Sequence, residues 1–327
     1  MSKIAVVNVN SFAKRYPEHV TELEMKIGKV DRFKVDEHID SIELANMLQG
    51  YQYIILGTTP PITEEFFEHQ KDVRLITRHG IGYNHIDLEA ARNHNVFVCK
   101  ELGIIERDAV AEQAVCLLGT VAKRIDQGNW MVHNKEWSIR RERVMGYQMS
   151  NKTTGIIGYG NIGSRFAEIM KFGFRNRILA YDPFLTQEQA DSYNIEKVSL
   201  EELLKESDFI SIHANYTEEA HNLINEQTLK LMKPEAILIN TARGKFIDEN
   251  ALACALRKRH LAGFGADVMV EEPMLDDHPL LECEYAVFTP HVGVYNEICL
   301  RNMDLKVMDD IYLVEDGQRP LEIVNGL

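Results

Sequence analysis

Basic charge is what this 327-residue chain has too little of, since 36 lysines and arginines stand against 50 aspartates and glutamates, for a formal net charge of −14. A generic phosphate-backbone binder needs a segregated basic face to overcome such a balance, and none is legible. The densest basic runs, Arg140-Arg141-Glu142-Arg143 and Arg257-Lys258-Arg259-His260, are short and flanked by apolar or acidic residues. They read as solvated helix faces, and no nucleic-acid partner is expected. Cysteine is scarce too. Cys99, Cys116, Cys254, Cys283 and Cys299 are widely spaced, odd in number and lack a C-x-x-C pair, a pattern that suits neither a disulfide framework nor a zinc cluster, so no metal is expected. Long apolar runs are absent, with nothing near the roughly 18 residues needed to span a bilayer. The first ten residues begin a strand rather than a leader peptide, so a soluble cytoplasmic chain without a membrane partner is the expectation. Nine prolines and 20 glycines are too few for a collagen-like or low-complexity chain.

What is present is a train of short β-branched runs separated by longer helix-like stretches, the signal of parallel α/β architecture. The length exceeds the roughly 250 to 300 residues at which a single core stops growing, so two lobes are expected. The first third carries apolar runs at Ile4–Val9, Val30–Val35, Tyr53–Leu56, Val73–Thr77 and Asn95–Cys99. The middle carries six more, at Thr154–Gly158, Arg177–Tyr181, Asp208–His213, Ala236–Asn240, Gly263–Val268 and Tyr285–Thr289, matching the two βαβαβ halves of a doubly wound nucleotide-binding sheet. Between the two series Glu106–Ile125 has helical periodicity, and a helix of that length bridges two lobes. A last amphipathic stretch, Asn296–Val314, with Met303, Leu305, Met308 and Ile311 inward, is expected to cross back to the first lobe. The predicted division is therefore a discontinuous domain of residues 1–101 and 296–327 around a continuous one of residues 102–295, with a ligand cleft between them.

The strongest local signal is Thr154-Gly-Ile-Ile-Gly158-Tyr-Gly160-Asn-Ile-Gly163. Gly158, Gly160 and Gly163 form G-x-G-x-x-G after an apolar strand and before an amphipathic helix: one glycine for the tight turn, one for close approach to a pyrophosphate, one for helix–strand packing. The next strand, Arg177–Tyr181, leads into Asp182, 19 residues past Gly163, where a carboxylate acceptor for a ribose diol is expected. Together they point to a dinucleotide. Asp182 would repel a 2′-phosphate, which favours NAD over NADP.

Three residues follow later strands, at the carboxyl ends where an open α/β sheet places its site. Arg243 comes after Ala236–Asn240, Glu272 after Gly263–Val268, and His291 after Tyr285–Thr289. An arginine to hold a carboxylate and polarise a keto oxygen, a histidine to deliver a proton and a carboxylate to orient that histidine form a consistent set for reducing a 2-keto acid.

The chain resembles the D-isomer-specific 2-hydroxyacid dehydrogenase family almost end to end. The resemblance is carried by Arg78-His-Gly-Ile-Gly-Tyr-Asn-His-Ile-Asp87, the glycine fingerprint Gly155–Gly163, Asp182, Met232-Lys-Pro234, Ile239-Asn-Thr-Ala-Arg-Gly244, Asp267-Val268, Glu272-Pro273 and Pro290-His291. It implies a Rossmann NAD-binding domain beside a flavodoxin-like substrate domain, with Arg243, Glu272 and His291 as catalytic residues. It further implies NADH-dependent reduction of a small 2-keto acid to the D-2-hydroxy acid. Backbone N–H groups around Ile81 and Gly82 would bind the substrate carboxylate together with Arg243 and His291. Asn161, Ile162, Thr241, Ala242 and Asp267 would contact NAD, Asp267 near the nicotinamide amide. Where the family shows a Pro-Leu-Thr turn this chain has Ala214-Asn215-Tyr216-Thr217, so main-chain groups of Ala214 and Asn215 take that contact, and Ala220 replaces a polar cofactor-touching residue. The segment after His291 is similar to the D-lactate and D-hydroxyisocaproate dehydrogenase branch, whereas His79-Gly80 follows the general family pattern. Trp130, Met131, Trp137 and Met145 fall in the family's dimer arm and imply a homodimer. His79 and His85 are read as turn-capping residues rather than substrate contacts, and Thr58-Thr59-Pro60-Pro61 as a loop. Rival readings are a formate- or phosphite-type dehydrogenase of the same fold, the former disfavoured by Glu272, and a non-enzymatic NAD-sensing scaffold.

Overall fold

The computed structural model describes residues 2–137 and 141–327. The chain divides into two compact units, Met1–Glu106 with Val294–Leu327, and Arg107–Gly293. In the first, strands β1 (Ile4–Val7), β2 (Val30–Phe33), β3 (Tyr53–Leu56), β4 (Leu75–Arg78) and β5 (Phe97–Cys99) alternate with helices α1 (Glu18–Lys26), α2 (Ser41–Met47), α3 (Glu64–His69) and α4 (Leu88–Asn93). The sheet order is β2-β1-β3-β4-β5 and every pairing is parallel, the flavodoxin arrangement. Parallel strands covered on both faces read as unbroken apolar runs. So β1, Ile-Ala-Val-Val, is buried throughout, with Ala5 and Val7 packing against Phe66 and Phe67 and Ile4 and Val6 facing the opposite core.

Helix α5 (Gly103–Lys123) begins three residues earlier than expected and ends where Arg124 takes a left-handed conformation, φ 55°. The Arg124 guanidinium lies 3.8 Å from the centroid of the Tyr285 ring and donates to Ala262 O at 2.9 Å, which holds the break. A further helix follows, α6 (Ile125–His133), which lies beyond the Glu106–Ile125 stretch read as helical.

The second unit continues with β6 (Thr153–Ile157), α7 (Asn161–Phe174), β7 (Arg177–Tyr181), α8 (Gln187–Tyr193), β8 (Glu196–Lys197), α9 (Leu200–Glu206), β9 (Phe209–Ile212), α10 (Glu226–Leu229), β10 (Ile237–Asn240), α11 (Glu249–Arg257), β11 (Gly263–Ala266) and β12 (Ala286–Phe288). Its order, β12-β11-β10-β9-β6-β7-β8, is the doubly wound Rossmann order with one strand added at the β12 edge. Six of its strands match the expected runs. The seventh, β8, is two exposed charged residues on the sheet edge and gave no apolar signal. Arg140 and the side chains of Arg141 and Arg143 lie outside the described residues; Arg257 to His260, the other basic run, are exposed.

Helix α12 (Glu297–Glu315) is capped by the Asn296 side chain, which accepts from Cys299 N at 2.8 Å, and belongs to the first unit. Its inward face is Met303, Val307, Met308, Ile311 and Val314. Leu305, expected inward, is exposed, because the face turned to the sheet also carries Asp304, Lys306 and Asp310, all buried. Lys306 Nζ meets Asp310 Oδ2 at 2.6 Å, and Thr77 Oγ1 donates to the same oxygen at 2.6 Å. Among the described residues no helix is long and apolar enough to cross a membrane.

Close to this pair lies Glu101, fully buried, with neither carboxyl oxygen hydrogen-bonded. Burial holds its carboxyl well above the usual range, Glu106 and Asp310 adding to the effect while Lys306 and Arg78 oppose it. A carboxyl whose proton is held more tightly in the folded state loses stability as pH rises above its unfolded value, because unfolding then releases a proton. E101Q should therefore gain melting temperature relative to wild type as pH is raised from about 5 to about 8. Parallel melting curves for the two proteins would mean that Glu101 is ionised in both states.

Candidate functional site

The glycine turn sits at the carboxyl end of β6. Gly158 has φ +91°, and a Cβ there would lie 2.5 Å from Ala214 N, so any side chain would push the end of β9 away. At Gly163 a Cβ would meet Gly158 O at 2.0 Å, since the first turn of α7 packs directly on the turn. Gly160 differs: a Cβ there would meet nothing within 4 Å, leaving open space beside the first turn of a 14-residue helix whose N-cap has no side-chain hydrogen bond. That is a cradle for an anionic group. Asp182, after β7, accepts from Tyr159 N at 2.7 Å through Oδ2 and from Phe184 N at 2.8 Å through Oδ1. Its carboxylate is thus held in place, with lone pairs remaining on each oxygen.

Two further polar atoms at these strand ends are buried without a partner: His213 Nδ1, after β9, and Thr241 Oγ1, after β10. Burial lowers the His213 pKa to about 3, so the ring is neutral. Its Nε2 lies 2.8 Å from Ser211 Oγ, and its ring is 5.1 Å from that of Phe166 on α7. Buried polar groups are ordinarily paired, so orphans beside an open cradle mark a place for a ligand that supplies the partners. The turn, Asp182, Thr241 and the backbone of Ala214 fit a dinucleotide. Ala242 is nearly buried, Asn161 and Asn215 are exposed, and Ile162 packs partly on the core behind the turn.

The chemistry-bearing side chains come from three neighbouring loops of the same unit. Asn240, at the end of β10, folds its loop back: its Nδ2 donates to Arg243 O at 2.8 Å and its Oδ1 accepts from Ala242 N at 3.0 Å. Gly244 then lets the next loop approach, since a Cβ there would fall 2.0 Å from the Met269 carbonyl carbon. On that loop Glu272 Oε1 accepts from Met269 N at 3.0 Å, and Glu272 Oε2 lies 2.7 Å from His291 Nδ1. His291 stands at φ 52°, in a loop gathered by Asp267, whose carboxylate accepts from Thr289 Oγ1 at 2.5 Å, Val292 N at 2.9 Å and Gly293 N at 2.7 Å. Asp267 is therefore an organiser of the His291 loop. Burial opposes ionisation of Glu272, but the hydrogen bond and charge of His291, the Met269 N–H and nearby Arg243 outweigh it and hold the carboxyl below its usual range. Arg243, Glu272 and His291 are thus brought together.

Asn240 was missed by the sequence reading, as were Glu249 and His278, whose side chains meet at 3.0 Å while Glu249 also accepts from Val270 N at 3.0 Å, bracing the loop that carries Glu272. A polar residue ending a buried strand four positions before a glycine is the signal that would have found Asn240.

In the first unit, Ile81 and Gly82 follow β4. Arg78 is almost fully buried and donates from Nε to Gly82 O at 2.6 Å and from Nη1 to the carbonyls of Leu56 and Gly57. Gly80 turns the chain at φ +152°. Among the described residues no acceptor takes the N–H of Ile81 or of Gly82. His79 points inward to Asp304 at 2.9 Å, and His85 Nε2 lies 3.1 Å from Gly57 O. Around α6, Trp130, Trp137 and Met145 are exposed, whereas Met131 is buried.

Comparison with known proteins places this geometry. The sequence model of the D-isomer specific 2-hydroxyacid dehydrogenase NAD-binding domain matches residues 115–293. The glyoxylate reductase of Pyrococcus horikoshii is 37% identical over 305 residues, covering 90% of each chain. Among solved structures, the TT0316 protein of Thermus thermophilus superposes with a TM-score of 0.89 at 30% identity over 98% of this chain and 99% of that one. The Aquifex aeolicus D-lactate dehydrogenase, complexed with NAD and lactic acid, superposes with a TM-score of 0.83 at 27% identity over 96% of both.

Because the folded Glu272 carboxyl ionises below its ordinary value of 4.5, the stability it contributes is present above that value and is lost as pH falls through the folded one. Between about pH 5 and about pH 3 the melting temperature of wild type should fall more steeply than that of E272Q. Equal slopes would show that His291 and Arg243 leave this carboxyl unperturbed.

Proposed function

As the chain belongs to the D-isomer-specific 2-hydroxyacid dehydrogenase family, whose members are NAD-dependent oxidoreductases, we propose that it interconverts a small 2-oxo acid and the D-2-hydroxy acid, with Arg243, Glu272 and His291 as catalytic residues. The observation that carries this reading is the 2.7 Å contact between His291 Nδ1 and Glu272 Oε2. An ionised carboxylate only accepts, so Nδ1 carries a proton and Nε2 is the end that gains or loses one. In reduction, protonated Nε2 gives its proton to the keto oxygen; in oxidation the neutral Nε2 takes the hydroxyl proton. Glu272 stabilises the imidazolium and fixes the ring, and the planar Arg243 fork binds the carboxylate and draws charge onto the keto oxygen. NAD, when bound, supplies or accepts the hydride at the carbon that bears this oxygen. We assign the glycine turn and the N-terminus of α7 to its pyrophosphate, Asp182 to its adenosine ribose, and Asn161, Ile162, Ala214, Asn215, Thr241, Ala242 and Asp267 to the lining of the site. The N–H groups of Ile81 and Gly82 are assigned to the substrate carboxylate.

The names of the relatives favour small substrates, so glyoxylate and pyruvate lead the candidates. The exposed Trp130, Trp137 and Met145 support a homodimer contact, and five unpaired cysteines suit a reducing, cytoplasmic setting.

NADH oxidation measured with glyoxylate, pyruvate, hydroxypyruvate and 2-ketoisocaproate should show turnover with at least one, and chiral analysis should show the D product. His291→Ala should lower kcat by roughly 10²- to 10⁴-fold, the contribution of a positioned general acid. Arg243→Ala should raise KM and lower kcat together. Unchanged turnover in His291→Ala would remove the role given to it, and no turnover across the panel would leave a cofactor-binding scaffold as the better reading.

A further inference from the structure

We propose that Asp304 and His79 form a positioning pair for the Gly80–Gly82 loop, an inference that rests on the reading of Ile81 and Gly82 as the receptor of the substrate carboxylate. Asp304 lies on α12 and is 1% exposed. Its Oδ1 accepts from His79 Nε2 at 2.9 Å, and its Oδ2 accepts from His19 Nδ1 at 3.0 Å and from Ala13 N at 3.1 Å. One carboxylate thus ties α12 to α1, to the segment after β1 and to the residue that enters the loop. His79 is fixed at its other nitrogen as well, with Nδ1 3.3 Å from Ser11 Oγ, while the Phe12 ring stands edge-on to it at 6.0 Å and 85°.

The tautomers follow from the partners. A carboxylate presents no proton, so His79 Nε2 and His19 Nδ1 must both be N–H donors, and the other ring nitrogen of His79 is left to the Ser11 hydroxyl.

Position in the chain turns this cluster toward the loop. His79 N donates to Leu56 O at 3.2 Å, so its backbone still follows the sheet register, and the next residue is Gly80, which reverses the chain at φ +152°. On the preceding residue Arg78 pulls the Gly82 carbonyl inward. The loop is therefore held at both ends by buried polar side chains, its entry by His79 on Asp304 and its exit by Arg78, while the Ile81 and Gly82 N–H groups are left unengaged. Releasing His79 from Asp304 frees the entry and lets those N–H groups drift, and a misplacement of about 1 Å at a substrate-holding group can cost as much as 10²-fold.

Two isosteric variants separate the contacts. The amide of Gln reaches the place of Nε2 and keeps Asp304; the amide of Asn reaches only the place of Nδ1 and keeps Ser11. With the fastest 2-oxo acid of the panel, H79N should raise KM by roughly tenfold or more while the NADH dissociation constant, read by fluorescence, stays within about threefold, and H79Q should stay near wild type. Equal KM values for H79N and H79Q overturn the pairing, as does a rise in KM matched by an equal loss of NADH affinity. I81P, which deletes one loop N–H, tests the underlying reading separately. If I81P leaves KM unchanged the carboxylate assignment itself falls; if I81P raises KM and H79N does not, the assignment stands and the positioning role falls.

Discussion

The carboxylate of Asp267 is the interaction on which the second unit's site depends. The residue follows β11, its N–H donates to Asn240 O at 3.0 Å, and its own carbonyl accepts from His291 N at 2.9 Å. Its side chain meanwhile collects Thr289, Val292 and Gly293. A single buried residue therefore joins the ends of β10, β11 and β12. A carboxylate accepting several N–H and O–H bonds gains from each of them and offsets the cost of its own burial. The cost to the backbone is carried nearby: His291 sits in the left-handed region, disfavoured for a side-chain-bearing residue, and it stays there because the hydrogen bonds around it over-determine the loop. Without Asp267 the imidazole would have no fixed direction and Glu272 nothing to orient.

The two units place charge in opposite ways. In the second, the ionic groups of the site are about a third exposed, with the His291 and Glu272 side chains at 38% and 39%. There water screens the pair, so the contact is better understood as a device for direction and tautomer than as a source of stability. In the first unit Asp304, Lys306 and Asp310 are buried on one helix, with Glu101, Arg78 and His79 packed nearby. Buried ions cost several kcal/mol each unless fully paired, so such a cluster is a poor way to gain stability and a good way to specify one arrangement. That is the physical ground for reading it as a scaffold for the adjoining loop.

Much of this was legible in the residues. All eleven strand runs were bounded to within about two residues, because parallel strands buried on both faces are continuous apolar stretches that stand out from amphipathic helices. The glycine turn was legible since it answers to a backbone requirement that few residues meet. What escaped was set by tertiary context. The β8 strand is two charged residues that exist only because β7 offers an edge. The break between α5 and α6 depends on Arg124 stacking on Tyr285, some 160 positions later. On α12 the apolar period pointed to Leu305, whereas the buried face is drawn by Asp304, Lys306 and Asp310, whose partners lie in segments far away in sequence.

The same contrast explains why the residues proposed as catalytic could be picked out in the sequence while their supports could not. Arg243, Glu272 and His291 are polar residues in the loops that follow β10, β11 and β12, the carboxyl ends where an open α/β sheet places its site. Asn240, Glu249 and His278 act by holding backbone, and a residue that satisfies a loop N–H looks in sequence like any capping residue. Yet the supports decide the chemistry. The 2.7 Å contact to His291 requires Glu272 to be turned by Met269 N, Met269 to be reached across Gly244, and Gly244 to be delivered by the fold that Asn240 closes. Each step in that chain is a hydrogen bond or a missing Cβ, and a change at any of them reaches the imidazole without touching it.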